Sequence, residues 1–136
     1  MSYLLDTNVC IALINGTSDK VRTRFMQAAR SKVALTTSSI VVHELWYGVF
    51  KSQLVTQNER ALAVFLSREV AILEISSQDA QAAGAIRVDL ERRGKRIGEY
   101  DTLIAGQAYA RNLVLVTANT SEFAREKGLV VEDWTA

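Results

Sequence analysis

Tyr3-Leu4-Leu5-Asp6-Thr7-Asn8 is the stretch that decides how this chain is read. Three apolar residues make a short buried strand, and a carboxylate with two small polar residues follows at once, so Asp6 falls where strand gives way to helix. In open α/β sheets ligands bind in the crevice beyond the carboxyl ends of the strands. A carboxylate held there by a rigid element suits a metal or substrate ligand, and the rest of the sequence supplies its partners.

Downstream, Val9 to Ile14 is apolar nearly all round, with Thr7 or Asn8 placed to cap it and Gly16 to stop it. Ser18 or Asp19 opens a second helix ending near Ser31, with Val21, Phe25 and Ala28 or Ala29 at helical spacing. Val33 to Thr37 is the second strand. Ser38-Ser39 then opens a helix carrying Val41, Val42, Leu45, Trp46 and Val49, with Glu44 on another face beside Ile40 and Gly48. Thr56 to Glu59 has the spacing of a capping box ahead of Leu62, Phe65 and Leu66.

Val70 to Ile75 reads as a third strand, and Ala80, Ala83, Ile86, Val88 and Leu90 mark a helix closed by Gly94. A basic loop from Lys95 to Gly98 leads through Glu99-Tyr100-Asp101 into a helix over Thr102 to Arg111, with Asn112 as a left-handed stop. Val114 to Thr117 is an uncharged run suited to a strand buried on both faces. Ser121 to Arg125 is a short helix and Leu129 to Val131 a last strand. Strands alternating with helices give an α/β fold, a three-layer α/β/α sandwich with a mainly parallel central sheet and right-handed crossovers.

At 136 residues the chain fits a single domain over 1–136, large enough to bury a core without staples. A hydrophobic fraction of 49% with 23% charged residues excludes a disordered or fibrous chain. The net charge of +1 gives no strong overall field, so a nucleic-acid partner would need a local basic patch. Cys10 stands alone, which excludes an internal disulfide and a cysteine-based zinc cluster and points to a reducing compartment. No basic stretch followed by a long apolar run opens the chain, so neither signal peptide nor membrane span is read and the expected location is the cytoplasm.

Asp6, Glu44, Asp101 and Asn119 fall at equivalent places in this map and can share one crevice. Three carboxylates that close repel one another and raise each other's pKa unless a cation lies between them. An all-oxygen, cysteine-free cluster selects a hard ion, Mg²⁺ or Mn²⁺, which in turn suits phosphodiester hydrolysis by in-line attack of an activated water. Each residue also has a plainer role: the acids as helix caps or dipole partners, Glu44 on a solvated face, Asn119 as a turn residue.

Four ordered stretches carry a resemblance: Leu4-Leu5-Asp6-Thr7-Asn8, Glu44 to Gly48, Ile97 to Gly106 and Val116 to Phe123. Their order and spacing resemble the motifs of PIN-domain ribonucleases, and within them the VapC toxins of bacterial type II toxin-antitoxin systems; the closing Val131-Glu132-Asp133-Trp134 fits that subgroup. The resemblance spans essentially the whole chain. It implies a Rossmann-like fold and a Mg²⁺-dependent endoribonuclease in which Asp6 and Asp101 are metal ligands. Glu44, in the same acidic pocket, binds metal or orients the attacking water, and Asn119 supports the pocket where many PIN domains carry a fourth acid. It also implies an inhibitory cognate antitoxin, a homodimer, and contact with DNA only through the antitoxin.

Other motifs are excluded. His43-Glu44 begins like a zinc-protease helix, but Tyr47 stands where the second His belongs. His43 is the sole histidine and no nucleophile elbow accompanies it. Asn8 occupies the position where haloacid-dehalogenase-like phosphatases need a second Asp, and no phosphate-binding glycine loop is present. Arg87, Arg92, Arg93, Lys95 and Arg96 form the densest basic cluster; Arg92, Arg93, Lys95 and Arg96 are the expected RNA-backbone contacts, although cations there also offset a helix dipole. The aromatic run Trp46, Tyr47 and Phe50 is core, or a strip for a partner helix. The competing functions are a non-catalytic RNA- or protein-binding module and a Mg²⁺-dependent phosphatase.

Overall fold

Strand and helix alternate as the sequence predicts in the computed structural model, which describes residues 2–68 and 70–136. The order is β1 (Tyr3–Leu5), α1 (Thr7–Asn15), α2 (Asp19–Arg30), β2 (Leu35–Ser38), α3 (Ser39–Lys51), α4 (Val55–Leu66), β3 (Val70–Leu73), α5 (Ser77–Arg92), α6 (Glu99–Ala110), β4 (Val114–Val116), α7 (Thr120–Phe123) and β5 (Val131–Glu132). The strands form one sheet in the order β3-β2-β1-β4-β5, and every pairing is parallel. Leu4 and Leu5 point to opposite faces of the sheet and are both fully buried, as are Leu115 and Val116 in β4. Helices therefore cover both faces, giving the three-layer sandwich. Among the described residues no helix is long and apolar enough to cross a membrane.

The topology fixes where a site can form. From β1 the chain steps outward through β2 to β3, then returns to lay β4 on the other side of β1. The β1/β4 junction is the point where strand order reverses, and the crevice opens beyond its carboxyl ends. Asp6 leaves β1 there, and Thr117 leaves β4.

Several boundaries differ from the sequence reading for identifiable reasons. β2 begins at Leu35 because Lys32 takes a left-handed turn (φ 57°) and Val33 still donates to Ala28 O, closing α2. The capping box expected at Thr56 to Glu59 does not form: α4 starts at Val55 after Leu54 with no side-chain cap, and Asn58 donates to Ser52 Oγ at 2.9 Å instead. The box forms at Ser76–Asp79, at the start of α5. α6 begins at Glu99, which brings Asp101 into its first turn. On α5, Ala83, Ile86 and Leu90 are buried, whereas Ala80 and Val88 face solvent. Asn112 is left-handed (φ 54°), as read.

α5 and α6 approach closely because the residues between them are small. A Cβ at Gly106 would lie 2.6 Å from the backbone of Ala83. Their far ends are tied by Arg111, which donates to Asp79 Oδ1 and Oδ2 at 3.2 and 2.9 Å and to Glu74 O at 2.9 Å. Burial disfavours charge on Asp79, but Arg111 and the Ser76 donors outweigh it and hold the carboxyl below its ordinary range.

Candidate functional site

Asp6 is itself the N-cap of α1, where the sequence allowed Thr7 or Asn8. Its Oδ1 accepts from Thr7 N at 2.8 Å, and its Oδ2 accepts from Thr117 Oγ1 at 2.7 Å and Asn8 Nδ2 at 3.3 Å. Three donors leave roughly one of a carboxylate's four lone-pair sites free. Asn8 closes the junction by accepting Ala118 N at 3.0 Å and donating to Thr117 Oγ1 at 3.3 Å. Thr117, fully buried, also accepts from Asn119 N at 3.0 Å.

Glu44 projects from α3 and accepts from Thr7 Oγ1 at 2.6 Å, so the residue beside Asp6 also fixes the second acid. Asp101 enters from the first turn of α6, near Gly98. Its carboxyl is pushed up to about 6 by burial and by the charges of Asp6, Glu122 and Glu44. Asp6 is raised as well, chiefly by burial and further by Glu44, against the opposing pull of its donors. The predicted acids thus feel one another across a single crevice.

Asn119 joins the site indirectly: its Nδ2 donates to Glu122 Oε2 at 3.1 Å and orients that acid. Glu122, on α7, is an acid whose charge acts on Asp101 and to which the sequence reading gives no role, although it lies in the Val116 to Phe123 stretch. An acid three residues after Asn119, in a four-residue helix, has the spacing of an ordinary capping partner. Thr7 and Asn8 stand in the sequence reading as candidate caps and Thr117 as a strand residue within the motif stretches, with no role toward the acids.

The donors facing the crevice are carboxylate oxygens. Cys10 is sealed beneath it, its thiol pushed up to about 12 by burial, and His43 lies exposed on a neighbouring face of α3. Among the described residues no three acidic, histidine or cysteine side chains stand close enough to enclose an ion unaided. That looser all-oxygen arrangement fits Mg²⁺, which keeps several waters and takes one or two carboxylates.

The basic cluster is partly engaged. Arg93 pairs with Asp89 at 2.8 Å and donates to Arg125 O at 2.7 Å, Arg87 pairs with Glu91 at 3.2 Å, and Arg96 lies 3.6 Å from Glu99. Arg92 and Lys95 have no carboxylate within ion-pairing distance among the described residues. All five cations are exposed.

A groove runs away from the acids along α1. A cleft of about 320 Å³ includes Glu44, Ile11, Ile14 and Asn15. Ile14 and Asn15 also line a second cleft of about 720 Å³, which holds Phe25 and Phe65 with Arg22, Arg30 and Arg68. The two clefts meet at Ile14 and Asn15 and mix apolar with polar lining, with Glu44 and Asn58 in the first and three guanidinium groups in the second.

Comparison with known proteins gives one consistent answer. The profile of the PIN domain matches residues 3–128. The chain is 39% identical to a tRNA(fMet)-specific endonuclease VapC of Shigella flexneri over 99% of both chains. It is 41% identical to the ribonuclease VapC2 of Rickettsia felis over 98% of both. Among solved structures it resembles VapBC2 of Rickettsia felis bound to a promoter DNA fragment, with TM-score 0.92 and 40% identity over 98% of this chain and 99% of that one. It also resembles VapBC-1 of nontypeable Haemophilus influenzae, with TM-score 0.89 and 34% identity over the whole of both chains.

Proposed function

The chain belongs to the PIN-domain family, and from that premise we propose that it is a metal-dependent endoribonuclease of the cytoplasm, the toxin of a toxin-antitoxin pair. One observation carries the reading: Asp6 leaves β1 at the strand-order reversal, Thr7 beside it holds Glu44, and Asp101 enters from α6, where burial and then the charges of Asp6, Glu122 and Glu44 push its carboxyl up to about 6. So much unbalanced negative charge in a half-buried crevice costs stability without a cation. Relatives named as ribonucleases and endonucleases at about 40% identity support RNA as the substrate.

Asp6 and Asp101 would hold Mg²⁺ or Mn²⁺, with Glu44 reaching the ion directly or through a water; when bound, the ion supplies Lewis-acid stabilisation to a phosphodiester and acidifies the attacking water. The chain's own residues prepare the site. Thr117, Asn8 and the Thr7 amide fix the Asp6 carboxylate, leaving a free lone pair. Thr7 holds Glu44 in place to bind metal or orient the water, and Asn119 holds Glu122. Arg92, Arg93, Lys95 and Arg96 contact backbone phosphates, a mode that carries no sequence information and weakens with salt.

The groove along α1 suits a cognate antitoxin segment with an apolar face and carboxylates toward Arg22, Arg30 and Arg68. The solved structures of VapBC2 bound to promoter DNA and of VapBC-1 support such a partner; on this reading DNA is reached through it, and a homodimer is the working state. The deciding assay incubates the purified chain with RNA in Mg²⁺ or in EDTA, alongside a phosphomonoester. Cleavage of RNA alone, dependent on Mg²⁺ and abolished by Asp6→Asn and by Asp101→Asn, is the expected result. Full cleavage by either variant overturns the assignment.

A further inference from the structure

The exposed face of α3 beside the acid crevice carries aromatic rings that neither the core nor the proposed chemistry uses. His43, Tyr47 and Lys51 recur every four residues, so they line up along one face of the helix. His43 immediately precedes Glu44, and Tyr100 immediately precedes Asp101 on α6. The rings of His43 and Tyr100 meet edge to face, with centroids 5.4 Å apart and planes at 70°. This contact bridges the two helices that present acids. Tyr47 is 60% and Tyr100 49% exposed. Lys51 Nζ lies 5.5 Å over the Tyr47 ring, and Phe50 extends the aromatic surface by stacking on Trp46 at 5.5 Å.

We propose that His43, Tyr47 and Tyr100 form a stacking surface for unpaired nucleobases next to the cleaved phosphodiester, with Lys51 supplying positive charge at its far end. The inference rests on the nuclease reading for its substrate class and adds a binding subsite to it. Every base offers a π-face, so aromatic rings combined with a cation hold single strands without demanding a sequence. His43 and Tyr100 each stand one residue before an acid, on the neighbouring face of the same helix, so a strand leaving the rings along α3 or α6 has the acids beside it. The α1 clefts differ in their lining, which mixes aliphatic side chains with Phe25, Phe65 and charged groups.

The test uses the intact protein in EDTA, where RNA binds without being cut. The probe is a short unstructured oligoribonucleotide containing one fluorescent adenine analogue whose emission falls on stacking. The wild type should bind and quench it. Tyr47→Ala, Tyr100→Ala and His43→Ala should each weaken binding roughly 5- to 150-fold and lose quenching, the effect of one missing base–ring stack. Tyr47→Phe and Tyr100→Phe should behave as wild type, because stacking needs the ring and not the hydroxyl. Sedimentation is run on every variant.

Alanine variants that bind within about twofold of wild type and still quench overturn the proposal. So does a loss of binding that tracks a drop in oligomer mass, which would make the stripe a contact between subunits. The two readings fail separately. Ring-dependent quenching without RNA cleavage in Mg²⁺ leaves the stacking surface standing and removes the nuclease, whereas cleavage with ring-independent binding does the reverse.

Discussion

Neutralising Asp101 should make the metal-free protein more stable, and only at the pH where its charge is a burden. The carboxyl sits at about 6 against an ordinary 3.8, because burial and the charges of Asp6, Glu122 and Glu44 all oppose ionisation. A raised folded-state pKa means that the native state binds the proton more tightly than the unfolded chain. Stability therefore falls as pH climbs from about 4 to about 6, and the penalty is complete above that. Two units correspond to about 3 kcal/mol at most; with the side chain half open to solvent, screening reduces this to roughly 1–1.5 kcal/mol. Asp101→Asn keeps the shape and removes the charge. In EDTA at pH 7.5 its melting temperature should rise by about 3–7 °C for a chain of this size, and by well under half as much at pH 4.5. Adding Mg²⁺ should raise the wild type and move the variant little, since only a bound ligand shifts the equilibrium. Calorimetry at both pH values decides the matter: a variant less stable at pH 7.5, or equally stabilised at both, refutes the claim that these acids strain one another.

Other expectations follow from the packing and the hydrogen bonds. Arg111→Ala should cost about 3–5 kcal/mol in urea unfolding, more than Asp79→Ala, because it strands a buried carboxylate whereas the freed Arg111 can reach water. Holding Asp79 below its ordinary pKa stabilises the fold above about pH 4 and is lost as pH falls through the depressed value, so the gap between wild type and Arg111→Ala should narrow in acid. Gly106→Ala should destabilise by roughly 1–3 kcal/mol through overpacking against Ala83, and should slow RNA cleavage by displacing the helix that presents Asp101. Thr117→Val removes the donor to Asp6 and the acceptor for Asn119 N, and should lower cleavage at least tenfold while costing only about 1–2 kcal/mol in denaturant titration.

What the sequence made legible was what depends on local pattern and strand order. Leu4-Leu5 and Val114 to Val116 are apolar on consecutive positions, which only a strand covered on both faces tolerates, and the acid after the first marks its carboxyl end. Asp6, Glu44 and Asp101 could therefore be placed together before any coordinates. Glu122 could not, because its role depends on how a one-turn helix folds back toward α6. Local spacing likewise could not choose between the boxes at Thr56–Glu59 and Ser76–Asp79. The choice was made by where the chain enters each helix: α4 begins a residue before Thr56, while Ser76 keeps the extended backbone a cap needs. The partial neutralisation of the basic cluster was readable at Arg93, four residues after Asp89, but not in its reach to Arg125.

The pairing of β1 with β4 joins the beginning of the chain to its end: Leu5 registers with Val116, and Asp6 receives its shortest hydrogen bond from a residue 111 positions away. During synthesis the threonine that orients this acid, and the glutamate beyond it in the cluster, follow at least 111 residues later. The residues lining the α1 groove all come from the first half of the chain. The surface proposed for an inhibitor is thus translated before Thr117 and Glu122, ahead of the acid cluster they complete.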